Sequence, residues 1–178
     1  FTTVHASLLA DLGAYGCIKG MADVEYVKRN DIKALINNGS IVSVGNGMSP
    51  DIEKIIDAEP DAVLVSPFEN SGGYGKLDEL HIPLVECADY MESSPLARAE
   101  WMRFYGMLVG KEAEADSLFV QVEKAYNSIK TSANNSKDRP RVMMDFPSGN
   151  VWYIPGGQST IGQMIADAGG NYCFADIK

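Results

Sequence analysis

DIEKIIDAEPDAVLVSPFENSGGY, residues 51–74, sets a helix, a turn, a strand and a glycine-rich loop in succession. Its first part has the apolar spacing of an amphipathic helix. Glu59, Pro60 and Asp61 make a turn, and residues 62–65 form a short apolar run bounded by turn residues, which reads as a buried strand. The polar, glycine-rich loop at 66–74 then follows the strand's C-terminal end, the end that lines the ligand crevice in an open parallel α/β sheet. The plainer alternative is that Gly72, Gly73 and Gly75 simply permit tight turning.

Working outward, residues 4–12 carry Val4, Leu8, Leu9 and Leu12 on one helical face, and Gly13 stops that helix. Residues 17–21 are a short strand candidate. The β-branched run at 41–44 leads into Gly45, Asn46, Gly47 and Met48. Ser49 then suits an N-cap with Pro50 at the first helical position. Residues 83–87 supply a further strand after a helix around 76–80. The order is βαβαβ with a parallel sheet.

The pattern changes at Ser94. Residues 95–132 suit helix throughout except at Gly110, which splits them in two. In the second helix Ala115, Leu118, Phe119, Val122, Tyr126 and Ile129 form one apolar stripe. Residues 111–133 would span roughly 34 Å as a continuous, stiff helix. A strand at 141–146, another at 151–154 and a helix at 159–168 closed by Gly169 and Gly170 complete the chain.

The 178 residues are 46% hydrophobic and 22% charged, ordinary for a globular protein. No apolar run approaches a membrane span, and the opening FTTVHASLLADLG lacks the basic start and cleavage site of a signal peptide. The first residues read as a strand entering a helix, as if the chain begins inside a domain. Fifteen basic against 24 acidic residues give a formal charge of −9, which disfavours nucleic acid or an anionic membrane as a partner. Cys17, Cys87 and Cys173 form no CxxC pattern, and the apolar surroundings of Cys17 and Cys87 suggest buried free thiols.

Enzymatic signatures fail on inspection. Residues 72–76 resemble a phosphate loop only faintly, because Asn70 and Leu77 stand where the first glycine and the magnesium-binding hydroxyl belong. Gly45 and Gly47 begin a dinucleotide fingerprint that meets Pro50 in place of its last glycine. Ser66 and Ser71 sit in no nucleophile elbow. His5 and His81 are the only histidines, too few for a histidine-rich metal cluster, and His81 reads as a turn residue. His5 lies at a strand-to-helix junction beside the expected crevice. The crevice loops instead carry aromatic, thioether and small polar groups: Met48, Phe68, Asn70, Tyr74, Tyr90, Met91, Trp152 and Tyr153. Such surfaces hold large planar or apolar ligands, although Phe68 and Met91 are equally suited to packing. Only Lys76 and Arg98 stand nearby as cations, too few for a densely anionic ligand.

The run PDAVLVSPFENSGGYGKLDELHIPLVECADYMESSPLARAEWMRFYGMLVGKEAEADSLF resembles the periplasmic substrate-binding proteins of ABC importers for ferric siderophores, haem and cobalamin, particularly those of Bacteroidetes. VWYIPGGQSTIGQMIADAGGNY is similar to the start of their second lobe. The resemblance implies an α/β architecture: an open parallel sheet flanked by helices as a first lobe at 1–110, a long connecting helix at 111–135, and an incomplete second α/β lobe at 139–178, the ligand lying between lobes. It implies no enzymatic activity and no intrinsic cofactor. The cargo would be a ferric siderophore, haem or cobalamin, the partner an ABC permease in the inner membrane, and the location periplasmic with a lipid anchor whose signal and attachment residue are absent from this chain.

Carried over by position, the family's cleft loops fall on residues 2–5, Gly47 and Met48, 67–74, and 89–92, with Trp152, Tyr153, Pro155 and Gly156 from the second lobe. The ligand-binding set is thus Thr3, His5, Gly47, Met48, Phe68, Glu69, Asn70, Tyr74, Tyr90, Met91, Trp152 and Tyr153. Asp78 or Glu79 would serve as the acid that docks the permease. Because residues 139–178 offer too little structure to enclose a core, they are expected to pack back on the preceding elements or to pair with a second copy as a homodimer. The alternative reading is an α/β enzyme whose active site is completed by a missing C-terminal half.

Overall fold

The computed structural model describes residues 3–47, 49–67 and 74–177, arranged as two compact units. The first comprises Phe1–Ala88 with Tyr105–Glu114, the second Asp89–Phe104 with Ala115–Lys178.

In the first unit, α1 (Thr3–Asp11) ends at Gly13, whose φ of 71° is the left-handed geometry glycine adopts without strain. β1 (Gly20–Met21) pairs in parallel with β2 (Val42–Ser43) across α2 (Asn30–Asn37). β5 (Val63–Val65) pairs in parallel with β6 (Leu84–Glu86), Val63 opposite Leu84. The expected α/β class is therefore present, with its parallel strands as short two-stranded pairs. Ala22, Val44, Ile55, Val63 and Leu77 form a buried cluster against which Ile52, Val65, Tyr74 and Leu84 pack. Ile32, Ile41 and Met21 are also buried, each worth about 1.5–3 kcal/mol in apolar area removed from water. At the rim, Arg29 is bound by Asp11 and, at 2.7 Å, by Asp31, which also accepts from the Tyr15 hydroxyl at 2.7 Å. Those hydrogen bonds hold the Asp31 carboxyl well below the usual carboxylate range.

Three local expectations are corrected here. Ser49 and Pro50 do not start a helix: they are β4 (Ser49–Pro50), antiparallel to β3 (Gly45–Asn46). The next helix, α3 (Ile52–Asp57), is capped by Asp51, whose carboxylate accepts from the Lys54 N–H at 3.2 Å. Asp51→Ala is expected to cost about 1 kcal/mol in denaturant unfolding, against a few tenths for Ser49→Ala. The strand proposed at 17–21 is confined to Gly20–Met21, because residues 15–17 form a 3₁₀ turn that leaves Cys17 exposed. Cys87 is buried, as expected. The helix proposed around 76–80 is a 3₁₀ helix, Gly75–Leu80, ending on His81 at φ 55°.

The second unit contains the first ten residues of α4 (Pro95–Leu108) and most of α5 (Glu112–Asn135), two helices separated by Gly110 at φ 66°. Of the α5 stripe, Ala115 and Phe119 are buried, while Val122 and Ile129 are exposed. The Arg103 guanidinium lies 4.1 Å over the Phe119 ring and binds Asp116 at 2.6 Å. β7 (Arg141–Val142) pairs in parallel with β8 (Asn171–Tyr172) across α6 (Thr160–Asp167). No strand occupies 151–154, where only an isolated bridge joins Val151 to Ser148. The segment from 139 onward packs back on α5, since Asp167 takes the Tyr126 hydroxyl at 2.7 Å and the Lys130 ammonium at 2.9 Å.

That carboxylate contact makes the second unit sensitive to alkali. Burial, followed by the hydrogen bond to Asp167, pushes the Tyr126 phenol up to about 12. A raised phenol stabilises the fold fully below its ordinary value of 10.0 and loses that contribution as pH climbs toward 12. Thermal unfolding followed from pH 9 to pH 12 should therefore show a loss of about 1 kcal/mol that Tyr126→Phe abolishes, the size being reduced by solvent screening.

Candidate functional site

The candidate ligand residues fall into one set on each unit. In the first unit, Met48, Phe68, Glu69 and Asn70 lie outside the described residues. Thr3 opens α1, and its carbonyl accepts from the Ser7 hydroxyl at 2.7 Å. His5 stands inside α1 rather than at a junction, 5% exposed, with its ring 5.2 Å from that of Tyr105. The N–H of Gly47 donates to Asp23 Oδ2 at 3.0 Å, and a Cβ at that position would come within 3.1 Å of the same oxygen. Asp23 itself has φ 54°, so a left-handed residue in one loop aims the carboxylate that fixes the tip of another.

Tyr74 ends the glycine-rich loop and is held at both ends. Its N–H donates to Asp78 Oδ2 at 2.7 Å, and its hydroxyl to Glu86 Oε1 at 2.8 Å. The ring packs on the buried cluster of the unit. Asp78 therefore has a structural duty besides any docking role, while Glu79 is simply exposed. Glu86 and Asp23 are the supports that reading the chain alone missed. They lie 12 and 24 residues from the groups they fix, and no local spacing marks such pairs.

In the second unit, Tyr90 and Met91 share a 3₁₀ turn, Asp89–Met91, and Met91 is 67% exposed. The turn is anchored by buried Asp89, 3.5 Å from the Arg98 guanidinium. Glu92 follows, its carboxylate accepting the Trp101 indole N–H at 2.9 Å and its backbone carbonyl accepting the Thr160 hydroxyl. Thr160 thereby ties α6 to the turn that presents Tyr90 and Met91. Trp152 meets Phe174 edge to face at 5.6 Å, and Tyr153 beside it is 78% exposed. The hydroxyl of Tyr172 donates to the Pro155 carbonyl at 2.6 Å, and the N–H of Gly157 to the Ile177 carbonyl at 2.7 Å. These bonds hold residues 152–157 without a strand.

Chemically, the second set presents two tyrosines, a tryptophan and a thioether on short, pinned turns. Rigid aromatic groups of this kind give contact area at small entropic cost. No cluster of three histidine, cysteine or acidic residues suited to a metal ion occurs among the described residues. No described helix is long and apolar enough to cross a membrane.

The chain is similar to proteins of known sequence and structure. An uncharacterized lipoprotein of Methanocaldococcus jannaschii is 32% identical over 152 residues, 83% of this chain and 36% of that protein. The iron-uptake system-binding protein of Bacillus subtilis is 27% identical over 115 residues, 62% of this chain and 34% of its own length. The crystal structure of Staphylococcus aureus IsdE complexed with haem superposes with a TM-score of 0.73 at 19% identity, over 96% of this chain and 62% of that one. The chain thus spans about a third of the length of these two sequence relatives. The profile of the family described as periplasmic binding protein matches residues 7–178, nearly the whole sequence, and the chain belongs to that family.

Proposed function

We propose that this chain is part of the extracytoplasmic solute-binding component of an ABC importer, which takes up an iron chelate, haem or a corrinoid and hands it to a permease in the inner membrane. The match of residues 7–178 to the periplasmic binding protein family carries this reading. The iron-uptake name of one relative and the haem bound by a structural neighbour favour an iron-containing cargo. The lipoprotein name of another relative favours a lipid-anchored, periplasmic location. On this reading Tyr74, Tyr90, Met91, Trp152 and Tyr153 contact cargo, with Thr3, His5, Gly47, Met48, Phe68, Glu69 and Asn70 completing the set. The first lobe is assigned to residues 1–110, the connecting helix to 111–135 and the opening of the second lobe to 139–178.

The test is a tryptophan-fluorescence titration of the full-length protein with haem, cobalamin and representative ferric siderophores, with analysis of the ligand afterwards. One of these is expected to bind unchanged. Alanine at Tyr74, Tyr90 or Trp152 should weaken that binding by about 1–3 kcal/mol where the residue is an anchor. Wild-type affinity in all three variants would remove them from the site. Chemical turnover of the bound ligand would favour the α/β enzyme reading instead.

A further inference from the structure

A surface pocket of about 250 Å³ in the second unit takes most of its wall from α4. Ala97, Glu100, Trp101 and Phe104 stand three and four residues apart, the spacing that puts side chains on one helical face. Glu92, directly after the Asp89–Met91 turn, closes the other side. None of the five belongs to the candidate ligand set.

This wall is aromatic and acidic at once. The Trp101 and Phe104 rings meet at 76° with centroids 5.4 Å apart, an edge-to-face pair that forms a corner. The face of an aromatic ring attracts positive charge, as the Arg103 guanidinium shows 4.1 Å over Phe119. Arg103 is committed to that position, since Asp116 holds it at 2.6 Å and Glu100 at 2.8 Å. Glu92 carries the uncommitted charge. Its Oε1 accepts the Trp101 indole N–H at 2.9 Å, and among the described residues no cation pairs with it and no donor meets its Oε2.

The chemistry of the wall narrows the guest by elimination. Two carboxylates repel an anion, and a neutral apolar molecule would strip water from them with nothing in return. Calcium takes about six to eight oxygen ligands, more than two carboxylates beside aromatic rings supply. The pocket is also smaller than the roughly 300 Å³ at which sites for drug-sized molecules begin, so the guest is small. We propose that this pocket binds a small organic cation of the alkylammonium class, its charge against Glu92 and its alkyl groups in the corner of Trp101 and Phe104. The formal charge of −9 on the chain adds a long-range attraction in the same direction. Neither the wall nor its charge depends on which cargo the protein carries.

The test uses the complete protein, free of haem and siderophore, titrated with tetramethylammonium chloride while nuclear magnetic resonance follows the Trp101 indole N–H and the Phe104 amide. Saturating shifts with a dissociation constant at or below about 10 mM are expected. tert-Butanol, close in shape but uncharged, and sodium chloride at equal ionic strength should leave both signals in place. Glu92→Gln keeps an acceptor for the indole and removes the charge, whereas Trp101→Leu keeps bulk and removes the π face. Each variant should bind about threefold more weakly or worse, the Phe104 amide reporting where the indole is gone. The proposal is overturned by a lack of saturation at about 100 mM, by an equal response to tert-butanol, or by parent affinity in both variants. Should either variant fold poorly, the comparison of tetramethylammonium with tert-butanol in the parent protein decides.

Discussion

Replacement of Tyr105 by alanine is expected to remove about 3–5 kcal/mol of stability, the range for deleting a large aromatic side chain from a packed interior. Tyr105 is 2% exposed and packs against the His5 ring, so the lost volume lies between α1 and the end of α4. Neither helix can collapse freely into the gap, since Leu9, Ala10 and Leu12 on α1 and the turn after it are themselves buried. Urea unfolding should show a lower midpoint with an unchanged slope. A loss below about 1 kcal/mol would mean that the site repacks and that Tyr105 is no keystone of the first unit.

The second large effect is expected from Gly162→Ala, and here two tendencies oppose each other. Alanine is favoured over glycine inside a helix by about 1 kcal/mol, so propensity alone would make the variant more stable. A Cβ at position 162, however, would lie 2.4 Å from the Gly157 carbonyl oxygen and 2.5 Å from that of Gly156. Both are backbone atoms, and Gly157 is itself fixed to Ile177. The clash, costing about 3 kcal/mol, should win and leave the variant about 2 kcal/mol less stable, because overpacking against backbone leaves no rotamer through which to escape. In the haem or siderophore titration the same variant should also lose affinity, since α6 is tied through Thr160 to the turn of Tyr90 and Met91. A variant as stable as the parent would show that the 156–157 backbone yields.

Much of the helical framework was legible in the chain because its signals are local. Gly13, Gly110 and Gly169 all take positive φ at helix ends, and the 51–65 helix, turn and strand fall where their spacing places them. Ser49 and Pro50 misled because serine before proline suits an edge strand as well as a helix start, and Asp51 offered a better-placed cap two residues later. Residues 151–154 have strand composition, but the hydroxyl of Tyr172 fixes the following turn from 17 residues away. The apolar neighbours of Cys17 suggested burial, yet the 3₁₀ turn carries its thiol outward. The candidate-site residues were found as types on loops. Their supports, Asp23, Glu86 and Tyr172, were not, because each acts across a distance that only the fold closes.

The unequal exposure of the three cysteines has an experimental use. Cys17 belongs to the first unit and Cys173 to the second, both exposed, while Cys87 is buried. Thiol-directed dyes or spin labels should therefore attach at one point on each unit and spare the interior. Within residues 1–178 the sequence already carries one accessible thiol on each unit. Their separation, followed by resonance energy transfer or dipolar spectroscopy as haem or a ferric siderophore is added, would read the relative movement of the two units with no substitution inside residues 1–178.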